Sequence, residues 1–291
     1  MASTTDSEND VSTYRPALIA PLGVVWVVIY VVPLLLLLAA SFLRIRQTSI
    51  DFSGLTLENY SIFLTDPFYI GVLLRTAELA LLATVVTLVL GVPYAVLCTE
   101  VRPALRSVML ILVMSPALMS AVARSYGWIV LLGNNGALNY GLLQLGVIER
   151  PLHLLFNFFG VTLGLAQLLL PFMVLPIVSV LQRTDSSLVE AAANLGATRM
   201  QTVFRITLPL GLPGILAGAT LVFVSAYAQF AVPQLLGGGA FLVSSTMVYQ
   251  EVTSMQDEGA AAALAMIMLN SSLFIVLIGN FLTNRLAWAG D

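Results

Sequence analysis

LPFMVLPIVSVLQRTDSSLVEAAANLGAT, residues 170–198, is the point where a long apolar run gives way to a polar one. Residues 151–182 contain no Asp, Glu, Lys or Arg, and charged residues begin abruptly at Arg183. A helix needs about 20 mostly apolar residues to cross the hydrocarbon core of a bilayer. The segment therefore predicts a membrane-spanning helix followed by a polar loop.

The same alternation recurs along the 291 residues of the chain, which are 59% hydrophobic and only 9% charged. An average soluble domain has about 25% charged residues. The long runs without a charged residue are 16–43, 79–99, 125–148, 151–182, 206–250 and 259–284. Short segments of alternating polarity, which are typical of membrane β-barrels, do not occur. These patterns predict an all-α integral membrane protein.

Six transmembrane helices are predicted, at about 17–42, 71–98, 105–130, 158–182, 206–230 and 260–284. Pro33 is expected to kink the first helix. VPQLLGGGAF (232–241) breaks the fifth apolar run, and residues 242–256 are expected to form a short interfacial or re-entrant helix. The predicted domains are a tail, 1–15, and a membrane domain, 16–291, with a polar loop at 183–208.

Arginine placement predicts the orientation, because basic residues concentrate on the cytoplasmic side. With a cytoplasmic N-terminus, seven loop arginines lie inside: Arg15, Arg102, Arg106, Arg183, Arg199, Arg205 and Arg285. Three lie outside, namely Arg44, Arg46 and Arg150. The count favours cytoplasmic N- and C-termini and leaves the outer loops net acidic.

The residue types that are missing exclude several kinds of site. All 12 basic residues are arginine, so the chain lacks the Gly-Lys-Ser/Thr of a phosphate-binding Walker A loop. Cys98 and His153 are the only residues of their types, which excludes an internal disulfide and a histidine-rich metal site. We predict no catalytic site, no metal site and no cofactor bound by this chain.

The loop at 183–208 carries local signals for two short helices. Ser187 with Glu190 and Thr198 with Gln201 fit capping boxes, and Gly196 stands where a helix end favours positive φ. One face of the first helix is predicted to be apolar and small: Leu188, Ala191, Ala192 and Leu195. A short amphipathic helix lying on lipid is one explanation of this pattern.

A more specific explanation comes from the spacing EAA-x3-G-x9-I-x-LP, which runs from Glu190 to Pro209. It resembles the EAA loop of ABC importer permeases. Four further segments resemble the spermidine/putrescine-type branch: LTLENYSIFLTDPFY (55–69), ARSYGWIVLLGNNGALN (123–139), LPFMVLPIVSVLQRTDSSLVEAAANLGAT (170–198) and QFAVPQLLGGGAF (229–241). The resemblance covers roughly residues 17–285.

The resemblance implies a type I ABC importer permease in the bacterial inner membrane, with the EAA loop as a cytoplasmic coupling helix. The implied partners are a second homologous permease subunit, two cytoplasmic ATPase subunits that carry ATP and Mg²⁺, and a periplasmic or surface solute-binding protein. No nucleic acid is implied. The expected ATPase-coupling residues are Glu190, Ala191, Ala192, Gly196 and Arg199.

Three of the charged residues in this loop have alternative roles. Glu190 either caps its own helix or also pairs with a basic residue of the ATPase, and both can hold. Arg199 and Arg205 either anchor the loop at the cytoplasmic surface or contact the ATPase.

Ionisable residues in apolar runs are candidates for the solute path, because burying a charge in lipid is costly. Arg75 and Glu78 stand three residues apart on the second predicted helix and could form a structural ion pair instead. Arg124, with Tyr126 and Trp128, either lines the path or anchors the helix at the outer interface.

Tyr227, Gln229 and Phe230 end the fifth predicted helix. An aromatic ring and an amide could bind an amine through cation–π contacts and hydrogen bonds, or they belong to an ordinary aromatic belt.

The expected solute is a polyamine or another small organic cation, which also suits the acidic outer loops. Related permeases carry ferric iron, opines, aminobutyrate or phosphonates, and these remain alternatives. An ion-coupled secondary transporter acting alone is less favoured, because it leaves the EAA spacing without a role. A membrane scaffold does not account for the proline-broken helices.

Overall fold

The computed structural model describes residues 25–46, 49–51, 55–183, 187–239 and 241–288. These residues fall into two compact units. The first lies within Met1–Leu64 and Val248–Ile267, and the second within Thr65–Met247 and Met268–Asp291. Apart from one short hairpin, the regular structure of the described residues is helical.

The α-helices, in chain order, are α1 Val32–Ser41, α2 Glu58–Thr65, α3 Pro67–Glu100, α4 Pro103–Met114, α5 Ala121–Leu132, α6 Ala137–Gln144, α7 Phe158–Leu181, α8 Ser187–Asn194, α9 Arg199–Thr202, α10 Leu208–Tyr227, α11 Ala231–Leu236, α12 Ser244–Gln250 and α13 Glu258–Trp288. Three π-helical segments, Val27–Val31, Val203–Thr207 and Glu251–Met255, adjoin α1, α10 and α12. The two strands, β1 Arg44–Arg46 and β2 Ser49–Asp51, pair in antiparallel fashion.

In the first unit, the buried Asn59 of α2 holds the chain that leaves α1. Its Nδ2 donates to the carbonyl oxygens of Ser41 and Leu43, at 3.1 Å in each case. The Ser41 hydroxyl also lies 2.7 Å from the hydroxyl of Tyr60. The bond to Ser41 satisfies a carbonyl group that the end of α1 leaves without a helical partner.

Helix α7 is the centre of the second unit and packs against both α3 and α10. Its buried side chains include Met173, Val174 and Ile177, which join Leu79 of α3 and Val222 of α10 in one apolar cluster. Buried hydroxyl groups on α3 donate back to their own helix, as Thr87 does to the carbonyl of Ala83 at 2.9 Å. The core therefore leaves few polar atoms facing hydrocarbon, as a membrane requires.

Glycines bring α10 close to α7, as their four-residue spacing predicts. A Cβ placed on Gly214 would come within 2.9 Å of the Cα of Ile177, and one on Gly218 within 3.0 Å of the carbonyl oxygen of Met173. Since both neighbours are backbone atoms, only glycine permits this approach.

Four described helical stretches are long and apolar enough to cross a membrane: Pro67–Glu100, Phe158–Leu181, Arg199–Tyr227 and Glu258–Phe281. They coincide with the second, fourth, fifth and sixth predicted helices. The first predicted helix, 17–42, is described only from residue 25, where Val27–Ser41 is apolar but short. Pro33, where a kink is predicted, lies in the first turn of α1, directly after a π-helical segment that ends at Val31.

The prediction of one continuous third helix over 105–130 is wrong. Pro103–Leu118 and Ala121–Gln144 meet at 97°, which makes them either a broken span or a re-entrant loop. A short 3-10 turn, Ser115–Leu118, ends the first half, and Met119 is extended. Pro116 lacks the N–H that a continuous helix needs, which accounts for a break here. Counted as one span, the pair raises the described total to five.

The break predicted at 232–241 is confirmed in its glycine part only, because Val232–Leu236 lie in α11 and the chain first leaves the helix after Tyr227. Helix α11 ends at Leu236, and the turn that follows has Gly238 and Gly239 at positive φ. Helix α12 and the π-helical segment after it then fill 244–255, where a short helix was predicted.

Candidate functional site

The EAA loop folds as two short helices joined by a tight turn. Helix α8 ends at Asn194, and Gly196 has φ of +84°. The Ala197 N–H donates to the carbonyl of Ala192 at 3.0 Å, which closes the helix end. Positive φ at Gly196 is confirmed, and it is the conformation that a glycine at this position adopts without steric cost.

Thr198 begins the second helix as predicted. The Gln201 N–H donates to Oγ1 of Thr198, and the Thr198 N–H donates to Oε1 of Gln201, which completes a capping box. The other predicted box pairs Ser187 with Glu190. Ser187 is the first residue of α8, and residues 184–186 lie outside the described residues.

Helix α8 presents an apolar surface that the chain itself leaves open. Leu188 is 47% exposed and Leu195 is 88% exposed, and Glu190 and Ala191 are exposed as well. Ala192 is 8% exposed, so it is buried against the chain. The predicted apolar face is therefore divided: Ala192 holds the loop in place, and the leucines and Ala191 are available to a partner.

An ion pair that no local sequence pattern indicates joins the EAA loop to α3. The guanidinium of Arg199 donates to the Glu100 carboxylate, the last residue of α3. Arg106 stands beside it and donates through Nε to the carbonyl of Cys98 at 2.7 Å. Arg199 and Glu100 are 99 residues apart in sequence, so no local spacing rule relates them.

Two adjoining grooves share this ion pair. The larger, of about 1250 Å³, is lined by apolar residues of α3 and α10, among them Val92, Val96 and Leu212. The smaller, of about 660 Å³, lies against the EAA loop and includes Glu190. Glu100 and Arg199 line both grooves.

Arg75 and Glu78 are both exposed on α3. The described residues contain no ion pair between them, so the predicted structural pairing is not observed. The guanidinium of Arg75 instead lies 5.9 Å from the ring centre of Phe241, which packs edge-on against Phe158. A charge held over an aromatic ring keeps its position while its donors stay available.

Arg124 is buried, with 7% of its surface exposed, and donates to the carbonyl of Pro116. It therefore bridges the 97° bend. Trp128 donates its indole N–H to Oε1 of Gln167 on α7 at 2.7 Å, whereas Tyr126 is exposed. Two of these three predicted residues thus have structural contacts inside the chain.

Tyr227 is buried at the end of α10, where its hydroxyl accepts a hydrogen bond from Ser271 at 3.1 Å. Its ring stacks on Phe223 with centres 6.2 Å apart. Gln229 and Phe230 are half-buried, and Oε1 of Gln229 accepts from the Phe230 N–H at 3.2 Å.

Two of the predicted groups approach each other through Ser244 and Ser245, which no sequence pattern singles out. The Ser244 N–H donates to the hydroxyl of Thr76, beside Arg75, at 2.9 Å. The Ser245 hydroxyl donates to the Gln229 carbonyl at 2.7 Å. The start of α12 thereby joins the Arg75 region of α3 to the segment after Tyr227.

Among the described residues, no group of three His, Cys, Asp or Glu side chains is placed to hold a metal ion.

The sequence matches known permeases along most of its length. Residues 79–288 match the family described as binding-protein-dependent transport system inner membrane component. The spermidine/putrescine transport system permease protein PotB of Haemophilus influenzae is 36% identical over 264 residues, covering 89% of this chain and 92% of that protein. PotB of Escherichia coli is 37% identical over 254 residues, covering 86% and 92%.

Solved structures share the fold at lower identity. A bacterial ABC transporter that imports the acidic polysaccharide alginate has a chain with a TM-score of 0.78 and 20% identity, covering 96% of this chain and 97% of that one. The inward-facing MetNI methionine ABC transporter gives a TM-score of 0.57 at 17% identity, covering 76% and 99%. These similarities and the apolar helices identify a multi-pass inner-membrane protein. The chain belongs to the binding-protein-dependent transport system inner membrane components, the permease subunits of ABC importers.

Proposed function

We propose that this chain is the permease subunit of an ATP-driven polyamine importer and that it carries solutes such as spermidine and putrescine. The observation that carries the proposal is the match to the two PotB permeases over nearly their whole length. The solute in their name is transferred to this chain as part of the proposal.

Energy enters through the EAA loop in this proposal. The chain has no Walker A lysine, so ATP and Mg²⁺ are held by separate cytoplasmic ATPase subunits. The exposed Leu188 and Leu195 supply apolar area for docking, while Gly196 forms the turn after α8 and the Thr198 cap fixes the start of α9. The exposed Glu190 is placed to meet a basic residue of the ATPase.

The remaining partners complete the path. A second homologous permease subunit forms the other half, and a solute-binding protein delivers the polyamine on the outer side. Arginine placement supports cytoplasmic N- and C-termini, which put the EAA loop on the same side as ATP.

We assign Arg75, Glu78, Tyr227 and Gln229 to the solute path or its border. Glu78 offers an exposed carboxylate for an ammonium group. The Thr76–Ser244 and Ser245–Gln229 bonds support a shared location for α3 and the segment after Tyr227.

The solute is tested by measuring ATP-dependent uptake into proteoliposomes that contain the complete complex, with radiolabelled spermidine. Unlabelled putrescine and spermidine are expected to compete, whereas aminobutyrate and phosphonate are not. If aminobutyrate or phosphonate competes and neither polyamine does, the chain carries a solute of another class.

The coupling role is tested in the same complex with Glu190→Ala combined with Gly196→Pro. The ATPase subunits are expected to detach or to hydrolyse ATP without uptake. Unchanged co-purification together with unchanged solute-stimulated hydrolysis would contradict the role given to the EAA loop.

A further inference from the structure

Glu100 and Arg199 each stand at the helix end that disfavours their charge. Glu100 is the last residue of α3, where the helix dipole favours a cation. Arg199 is the first residue of the helical stretch Arg199–Tyr227, where the dipole favours an anion. Neither placement helps its own helix, but the two residues form an ion pair with each other.

Both ends of this contact are held firmly. On α3, Arg106 donates to the carbonyls of Cys98 at 2.7 Å and Thr99 at 3.2 Å, and so fixes the last turn in front of Glu100. On the EAA loop, the capping box of Thr198 and Gln201 fixes the turn that begins with Arg199. Each partner of the ion pair therefore stands on a turn whose shape is fixed by hydrogen bonds of its own.

The pair is too exposed to be explained by folding stability. The side chains of Arg199 and Glu100 are 75% and 33% exposed, and exposed ion pairs contribute little to the free energy of unfolding. The pair does line both the apolar groove between α3 and α10 and the groove against the EAA loop. It lies where the loop meets the membrane helices.

We propose that Glu100 is a positioning residue which, through Arg199, ties the EAA loop to α3. Helix α10 continues directly from the loop, but α3 ends 99 residues earlier in the chain. The ion pair gives the EAA loop a second connection to the membrane helices, through α3, which carries Arg75 and Glu78. This inference rests on the proposed coupling function, because it concerns what the ATPase moves.

The first test compares spermidine uptake per ATP hydrolysed in proteoliposomes that contain the complete complex. Glu100→Gln and Arg199→Gln are each expected to lower this ratio about 3- to 5-fold, which corresponds to the upper range for an exposed pair. The exchange Glu100→Arg with Arg199→Glu is expected to restore it, because the pair is kept and both charges then suit their helix ends.

The matched control is the exposed pair Arg44–Glu58 in the first unit. Arg44→Gln and Glu58→Gln are expected to leave the ratio unchanged. A loss in Arg199→Gln without a loss in Glu100→Gln, and without rescue by the exchange, would make Arg199 an ATPase contact alone and overturn the proposal.

The second test needs no transport. Cys98 is the only cysteine and is buried, so Cys98→Ser gives a background for Glu100→Cys with Arg199→Cys. A protease site inserted after Val147 separates the two positions in the chain. A short bismaleimide is expected to hold the two cleaved halves together in membranes, and single-cysteine variants are expected to release them.

If this cross-link does not form, the proposed contact between the EAA loop and α3 is wrong, whatever solute the chain transports. Absence of ATP-driven spermidine uptake in the unsubstituted complex would instead remove the proposed function and the coupling role with it, while the cross-link still decides whether the loop and α3 meet.

Discussion

The indole N–H of Trp128 points at the side-chain oxygen of Gln167, 2.7 Å away, and joins α5 to α7. It is one of the contacts that fix the segment after the 97° bend to the centre of the second unit.

Replacing Trp128 with Phe is expected to lower the free energy of unfolding by about 1–2 kcal/mol, because the Gln167 oxygen loses its donor. The measurement is thermal unfolding of the detergent-solubilised protein. Adding Gln167→Leu is expected to recover part of the loss, since removing both partners leaves no unsatisfied group. If the two substitutions lower the free energy of unfolding by amounts that simply add, the hydrogen bond to Gln167 is not the contribution of the indole.

Gly218→Ala is expected to destabilise the protein by about 1–3 kcal/mol, because the new Cβ meets the backbone of Met173. Gly127 in α5 has no atom within 4 Å of its would-be Cβ. Gly127→Ala is therefore the control, expected to stabilise its helix by about 0.5–1 kcal/mol. Unfolding temperatures of the two variants should move in opposite directions.

Gly196→Ala and Gly146→Ala introduce the same kind of backbone strain, one inside the EAA loop and one outside it. Both glycines have positive φ, +84° and +68°, and open space around the would-be Cβ. Each substitution is expected to cost about 1–2 kcal/mol. Only Gly196→Ala is expected to weaken co-purification of the ATPase subunits, because Gly146 lies outside the EAA loop.

Glu78→Gln and Tyr227→Ala are expected to reduce spermidine uptake while the complex assembles normally. The first removes a charge that can pair with an ammonium group, and the second removes a ring from the end of α10. Tyr227→Phe keeps the ring and loses only the hydrogen bond from Ser271, so it separates the two contributions. Normal uptake in both Glu78→Gln and Tyr227→Ala would exclude these residues from the path.

Features set by neighbouring residues could be predicted from the sequence. The bounds of α7, the turn at Gly196 and the Thr198–Gln201 capping box all follow from apolar run length or helix-end chemistry. The bend after Leu118 is not predicted, because hydropathy alone does not distinguish a broken helix from a continuous one. Pro116 is not decisive either, since prolines such as Pro93 and Pro171 stand inside continuous helices.

Contacts between distant residues were beyond local reasoning. Arg124 looked like an interface anchor or a path residue, and only the fold shows it donating across the bend to Pro116. No local sequence pattern indicates a role for Glu100, because its partner, Arg199, lies 99 residues away. The serines that connect α3 to Gln229 were missed for the same reason.

The helical stretch Arg199–Tyr227 connects the second helix of the EAA loop to Tyr227. The π-helical segment Val203–Thr207 lies near its base, and the 20 residues of α10 beyond it extend for roughly 30 Å at a rise of about 1.5 Å per residue. On an arm of that length, a tilt of about 5° at the base moves the far end by roughly 2.6 Å, which is close to the length of a hydrogen bond. A small rotation near Arg199 is thus large enough to make or break the contact between Tyr227 and Ser271.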